Sequence, residues 1–284
     1  MRNQKLEVVR PSFWRPYIKS TDAPTDAPTI TWNGRKKVVV VFVALCAAAY
    51  LYSVTTASVS VLLNVSLPSP KLSEAWEDIA RVAAAAGVLL GLLYIGGLWG
   101  EFDAFSAPQR FKHGLGYYLR FCVGTGVVTF ALLVVAMAYF PSLHDVQGTD
   151  GVPPGYLHGL LIAALSAVTE EIVATVFIYW VLERVRVASG KTLAATYWGV
   201  CAIVAVHAMY HVAHEMMLLN MVLPLVFTAL CWRYTRSLLA LIVGHFTWDA
   251  IAMIPAPLPV VVSLFSLTAV IGYFALDSQP VAKQ

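Results

Sequence analysis

The stretch LHGLLIAALSAVTEEIVATVFIYWVL, residues 157–182, decides how this chain must be built. At about 1.5 Å of rise per residue, a helix of this length can cross the roughly 30 Å hydrocarbon layer of a bilayer. Yet two adjacent glutamates, Glu170 and Glu171, sit in its middle. A carboxylate facing lipid at that depth costs about 3 kcal/mol or more, so such residues face the interior of a bundle or a wet cavity and mark function by default. On a regular helix neighbouring side chains diverge by about 100°. The two glutamates are therefore expected to differ in role, one directed at chemistry and the other bracing a neighbouring helix.

The rest of the chain has the same oily character. Of 284 residues, 59% are hydrophobic and 12% charged, about half the charged share of a soluble domain. Mean hydropathy is +0.71. Apolar runs recur along nearly the whole length and predict an all-α fold, a polytopic transmembrane helical bundle of about eight spans. The first predicted helix follows Arg35, Lys36 and Lys37 and comes after a long polar lead with no cleavage site, so it reads as a retained helix and not a signal peptide. The others are expected at about 77–99, 116–140, 155–181, 193–212, 216–232, 237–255 and 257–276, the last two separated by PAPLP at 255–259. Four regions result: a polar cytoplasmic tail over 1–37 with an Asp-Ala-Pro repeat, N-terminal transmembrane helices over 38–150, a catalytic transmembrane core over 151–276, and a short C-terminal tail over 277–284.

Charge placement orients this layout. Arg110 and Lys112, Arg184, Arg186 and Lys191, Arg233 and Arg236, and Lys283 fall on the side of the N-terminal tail, whereas only Lys71 and Arg81 fall opposite. The positive-inside rule then puts both termini in the cytoplasm, for an integral protein of a plasma or inner membrane. The net charge of +3 is mild, and nothing points to nucleic acid. Cys46, Cys122, Cys201 and Cys231 lie in apolar segments without a CxxC, so neither a disulfide scaffold nor a zinc knuckle is suggested. Tyr117, Tyr118, Trp180 and Trp198, near span ends, read as interfacial anchors. Gly96, Gly97, Gly100, Gly124 and Gly126 read as points of close helix packing.

Further polar groups recur at membrane depth. His207 and His211 are four apart on one predicted helix, with His214 and Glu215 nearer its outer end; His245 and Asp249 are four apart on a later one. Glu170, His207, His245 and Asp249 thus come from three helices. His211, His214 and Glu215 read as helix–helix partners near the boundary, and His113, His144 and His158 fall in loops or near span ends. Two hydrolytic chemistries fit the set. Glu170 could deprotonate a water held with the imidazoles, a histidine donating to the developing oxyanion or the leaving amine. Alternatively, histidines and a carboxylate could bind Zn²⁺, which would activate the water; the sequence has no HExxH. The same groups could also form the proton relay of a proton-coupled transporter, though no inverted repeat is visible, or belong to a non-catalytic membrane scaffold.

These motifs resemble those of the CPBP family, the CAAX protease and bacteriocin-processing enzymes also called Abi. That pattern is EExxxR on one helix, FxxxH on the next, and HxxxN or HxxxD on a later one. Here they stand as EEIVAT (Glu170–Thr175), IVAVH (Ile203–His207) and HFTWD (His245–Asp249), within about residues 155–255. Two positions depart, Thr175 for the arginine and Ile203 for the phenylalanine. The resemblance implies an intramembrane endopeptidase of glutamic type, acting on a membrane-anchored protein or peptide in the bilayer during maturation or sorting. It implies Glu170 as general base, His207 and His245 as holders of the water, and Asp249 as the residue completing the polar site and the oxyanion pocket. Glu171 would orient or brace. No metal cofactor is implied, with Zn²⁺ the alternative.

Overall fold

The computed structural model describes residues 34–62, 75–96, 108–139, 155–179, 181, 201–202, 204–205, 217–235, 237–254 and 256–274. These form seven helices: α1 (Gly34–Leu62), α2 (Ala75–Ile95), α3 (108–139), α4 (Tyr156–Phe177), α5 (Met217–Thr235), α6 (Leu238–Ala252) and α7 (Leu258–Phe274). Among the described residues there is no strand.

Local chemistry sets the helix ends. Ser237 leaves helical geometry at φ −114° and ψ 98°, and its side chain accepts the Ala240 N–H at 3.3 Å. That caps α6 at a point where the serine is fully buried and an orphan N–H would find no water. Between α6 and α7 the sequence places Pro255 and Pro257, which lack the amide hydrogen a continuing helix needs. Pro224 is inside α5, and the Thr228 hydroxyl donates to the Pro224 carbonyl one turn back, at 3.1 Å.

The expected eight-span bundle is corrected here. Among the described residues, two helices are long and apolar enough to cross a membrane, Phe111–Leu132 within α3 and Tyr156–Phe177, which is α4. For two of the expected spans the physical reason is that an apolar run is not the same length as the helix it makes. Helices α6 and α7 have 15 and 17 residues. They reach about 22 and 26 Å, short of the roughly 30 Å hydrocarbon layer. The predicted helix at 193–212 is described at 201, 202, 204 and 205, all helical; its remainder, and both predicted tails apart from Gly34–Lys37, lie outside the described residues.

Two features of the packing position the site. One is a stripe of small residues on α4, Gly159, Ala163 and Ala167, buried in one line that ends at Glu170. Small side chains at this spacing let neighbouring backbones approach closely, and α2 and α6 both pack against α4. The other is a pair of π-helical segments, Tyr118–Val123 inside α3 and Glu171–Phe177 at the end of α4. Such wider turns, bonded i to i+5, are rare and frequent at functional sites. They meet in a core that includes Tyr118, Cys122, Ile172, Val176, Trp232 and Leu241. Outward faces stay apolar: Val128, Leu132 and Val135 on α3, and Leu267, Val270 and Ile271 on α7, are exposed, as suits a lipid-facing surface.

Candidate active site

Because the small-residue stripe admits α6 so closely, the first large polar group after it, Glu170, meets what α6 carries. The helix widens at the next residue, and all seven residues of the π segment Glu171–Phe177 are buried. Across the gap, α6 presents His245 and, one turn on, Asp249. Glu171 Oε1 lies 2.8 Å from His245 Nδ1. The other ring nitrogen, Nε2, is 3.8 Å from Glu170 Oε2 and 3.6 Å from Asp249 Oδ2. One imidazole is therefore ringed by three carboxyl groups. Glu171 is 1% exposed and Asp249 22%, so the cluster has a sealed side and an accessible side.

The short bond fixes the ring. A carboxylate accepts hydrogen bonds, so the Nδ1–H of His245 donates to Glu171, and Nε2 is the nitrogen turned towards Glu170 and Asp249. Both glutamates address one imidazole, from its two nitrogens. Their distances still separate them. Glu171 makes a direct, sealed, charge-capable hydrogen bond that ties α4 to α6, whereas Glu170 stands too far for one.

Thr175, at the position of the motif arginine, explains part of this arrangement. Thr125, Thr129, Thr169, Thr228, Thr235, Thr247 and Thr268 each donate a hydroxyl hydrogen bond to the carbonyl four residues earlier. Thr175 is fully buried, and its hydroxyl has no partner among the described residues. Unlike those threonines, Thr175 lies inside a π segment. The charge-capable partner of Glu171 is supplied by α6, through His245, and not by the next turn of its own helix. Thr175→Val should accordingly leave stability unchanged or raise it by about 1 kcal/mol, because a buried hydroxyl without a partner is a net cost. Denaturant unfolding in detergent measures this; a loss beyond about 1 kcal/mol would show that the hydroxyl is used.

Of the sequence-predicted residues, Glu170, Glu171, His245 and Asp249 come together. His207, His211, His214 and Glu215 lie outside the described residues, as does His144; His113 and His158 are described and stand apart from the cluster. Among the described residues no group of three or more His, Cys, Asp or Glu side chains is arranged to hold a metal ion. Within the cluster, Nδ1 of its histidine is already committed to Glu171. All four cysteines are free, with Cys122 and Cys231 buried.

Sequence reasoning missed Tyr118. It was expected at the membrane interface but is 5% exposed, with its ring across Gly244, the residue before His245. Its hydroxyl is within hydrogen-bonding reach of Thr228, and the phenol is within electrostatic reach of Glu171 and Asp249. The available signal was Gly244 itself, a residue without a side chain directly beside a candidate site histidine.

Comparison with known proteins adds one match. The family described as type II CAAX prenyl endopeptidase Rce1-like matches residues 153–251. No curated protein matches the chain, and no solved structure does. The matched span runs from just before α4 to the end of α6 and holds both glutamates, His245 and Asp249. Over residues 153–251, this chain is similar to the Rce1-like family of CAAX-protease-type proteins.

Proposed function

We propose that the protein is a membrane-embedded endopeptidase that hydrolyses a peptide bond of a membrane-anchored protein or peptide with a water activated by Glu170. The observation that supports this most is the seating of His245, held at Nδ1 by Glu171 at 2.8 Å while Nε2 stands 3.8 Å from Glu170 and 3.6 Å from Asp249. Gaps of that size are too long for direct hydrogen bonds and suit a single bridging water.

In the proposed step, Glu170 takes a proton from that water as general base. The resulting hydroxide attacks the scissile carbonyl carbon and forms a tetrahedral oxyanion. His245, whose positive charge three carboxyl groups favour, donates from Nε2–H to that oxygen, where a preorganised donor is most effective. Glu170 then returns the proton to the leaving nitrogen as the C–N bond breaks. Asp249 lines the accessible side where the substrate would approach. His207, by its motif position, is assigned a second hydrogen bond to the water or oxyanion. In this reading the protein is integral to its membrane, with both termini cytoplasmic.

The test compares membranes holding the wild-type protein with membranes holding Glu170→Gln, by mass spectrometry of terminal peptides. A membrane protein shortened at one terminus only in the wild-type sample is the expected result; no difference in any terminus would overturn the reading. Once that substrate is in hand, cleavage should change less than about twofold under a chelator strong enough to strip zinc, with protein metal content measured alongside. Loss of cleavage that added Zn²⁺ restores would replace the glutamate-activated water with a metal-activated one.

A further inference from the structure

Two glycines face aromatic rings across the interface of α3 and α6, in opposite senses. A Cβ at Gly244 of α6 would lie 2.5 Å from two ring atoms of Tyr118 on α3, closer than real Cβ contacts come. A Cβ at Gly126 of α3 would fall against the ring of Trp248 on α6, closer still. Each helix thus puts one aromatic knob into the other's glycine hollow. Both rings are buried, and Trp248 also packs on Phe265 of α7 with ring centroids 4.8 Å apart. The placement follows the site: Gly244 immediately precedes His245, and Trp248 immediately precedes Asp249.

We propose that Tyr118 and Trp248 are positioning residues, a reciprocal lock that fixes the depth and rotation at which α6 presents His245 and Asp249 to Glu170 and Glu171. A slide of α6 by one residue would drive the Cβ of Val243 or His245 into the Tyr118 ring and would lift Trp248 from its hollow, so the lock admits one register. Interdigitated cores of this kind do not deform smoothly. The 2.8 Å bond between His245 and Glu171 tolerates only a few tenths of an ångström, and a misplacement of about 1 Å at a reacting group can cost about 100-fold in rate. The proposal rests on the reading of His245 and Asp249 as site residues.

The test uses the full chain in detergent micelles, with two readouts. The first is the rate at which diethyl pyrocarbonate modifies His245, read by mass spectrometry against exposed His113 in the same molecule. The second is kcat and KM for the membrane substrate. Gly244→Ala is expected to raise the relative reactivity of His245 about fivefold or more and to lower kcat about 100-fold with KM little changed. Adding Tyr118→Leu, which lets a smaller apolar side chain and the new methyl refill the hollow together, should return His245 to slow modification and recover at least about a tenth of kcat. A folded Gly244→Ala with unaltered His245 reactivity and kcat overturns the lock, and so does failure of the second substitution to rescue. If Gly244→Ala does not fold, Trp248→Leu, which adds no bulk, carries the same expectation for reactivity and kcat, and no change in either overturns the lock. If His245 responds as expected while even the wild type cleaves no membrane protein, the lock stands and the peptidase reading falls. Wild-type cleavage with a His245 indifferent to Gly244→Ala gives the reverse.

Discussion

Replacing Glu170 with glutamine is expected to lower the rate of substrate hydrolysis by about 1,000-fold or more, while the unfolding midpoint in detergent moves by less than about 4 °C. The two halves of this expectation come from one geometry. Glutamine keeps the size and shape of the side chain at the end of the small-residue stripe, so the close approach of α2 and α6 to α4 survives. Glu170 also stands 3.8 Å from His245 Nε2, beyond hydrogen-bond length, so the substitution severs no direct bond of the cluster. What it removes is the carboxylate that would take a proton from water. Asp249 is on α6, 3.6 Å from the same ring nitrogen, and Glu171 is sealed and occupied with Nδ1. Glu170→Asp should give an intermediate loss, because the shorter side chain keeps the base and withdraws it from the water. Initial rates on the substrate found by terminal-peptide analysis, with unfolding curves on the same preparations, decide the matter. Near-normal cleavage by a folded Glu170→Gln protein would falsify the general-base assignment.

The sequence made some of this site legible and hid the rest for physical reasons. Glu170 and Glu171 stood out because burying carboxylates is costly, and His245 with Asp249 stood out because spacing by four puts both on one helix face. Apolar runs likewise marked where the helices lie: 216–232 was expected for Met217–Thr235 and 257–276 for Leu258–Phe274. They did not reveal how many of those helices are long enough to cross a bilayer. That depends on end signals such as the Ser237 cap and the prolines after α6, to which a hydropathy sum is blind. The convergence of both glutamates on one ring was hidden as well. Their expected divergence assumed regular α geometry, and nothing in EIVATVF announces that bonding shifts from i→i+4 to i→i+5. Tyr118 shows a third kind of failure. A tyrosine near the end of an apolar run looks alike whether it faces headgroups or a glycine on another helix, and only the partner's identity separates the cases.

Glu171 is expected to behave as the mirror image of Glu170, with its largest effect on stability. Glu171→Ala should destabilise the protein by about 3–5 kcal/mol, the usual cost of leaving one member of a buried charge pair without the other. His245 would keep two carboxyl neighbours, but both lie beyond hydrogen-bond length, so neither can take over the Nδ1–H. Thr175 offers no replacement either, since a hydroxyl carries no charge to hold the ring. Glu171→Gln should cost far less, about 1 kcal/mol, because its amide oxygen can still accept from Nδ1–H. Hydrolysis should nonetheless fall in both variants, since the ring loses the carboxylate that orients it and favours its positive charge. Removing both partners, Glu171→Ala with His245→Ala, should cost less than the two single losses added together, because no buried charge is then stranded. Denaturant unfolding of the two single variants and the double variant measures that coupling directly. Strict additivity would mean that the 2.8 Å contact does not hold α4 to α6, and His245 would then need another explanation for its place among three carboxyl groups.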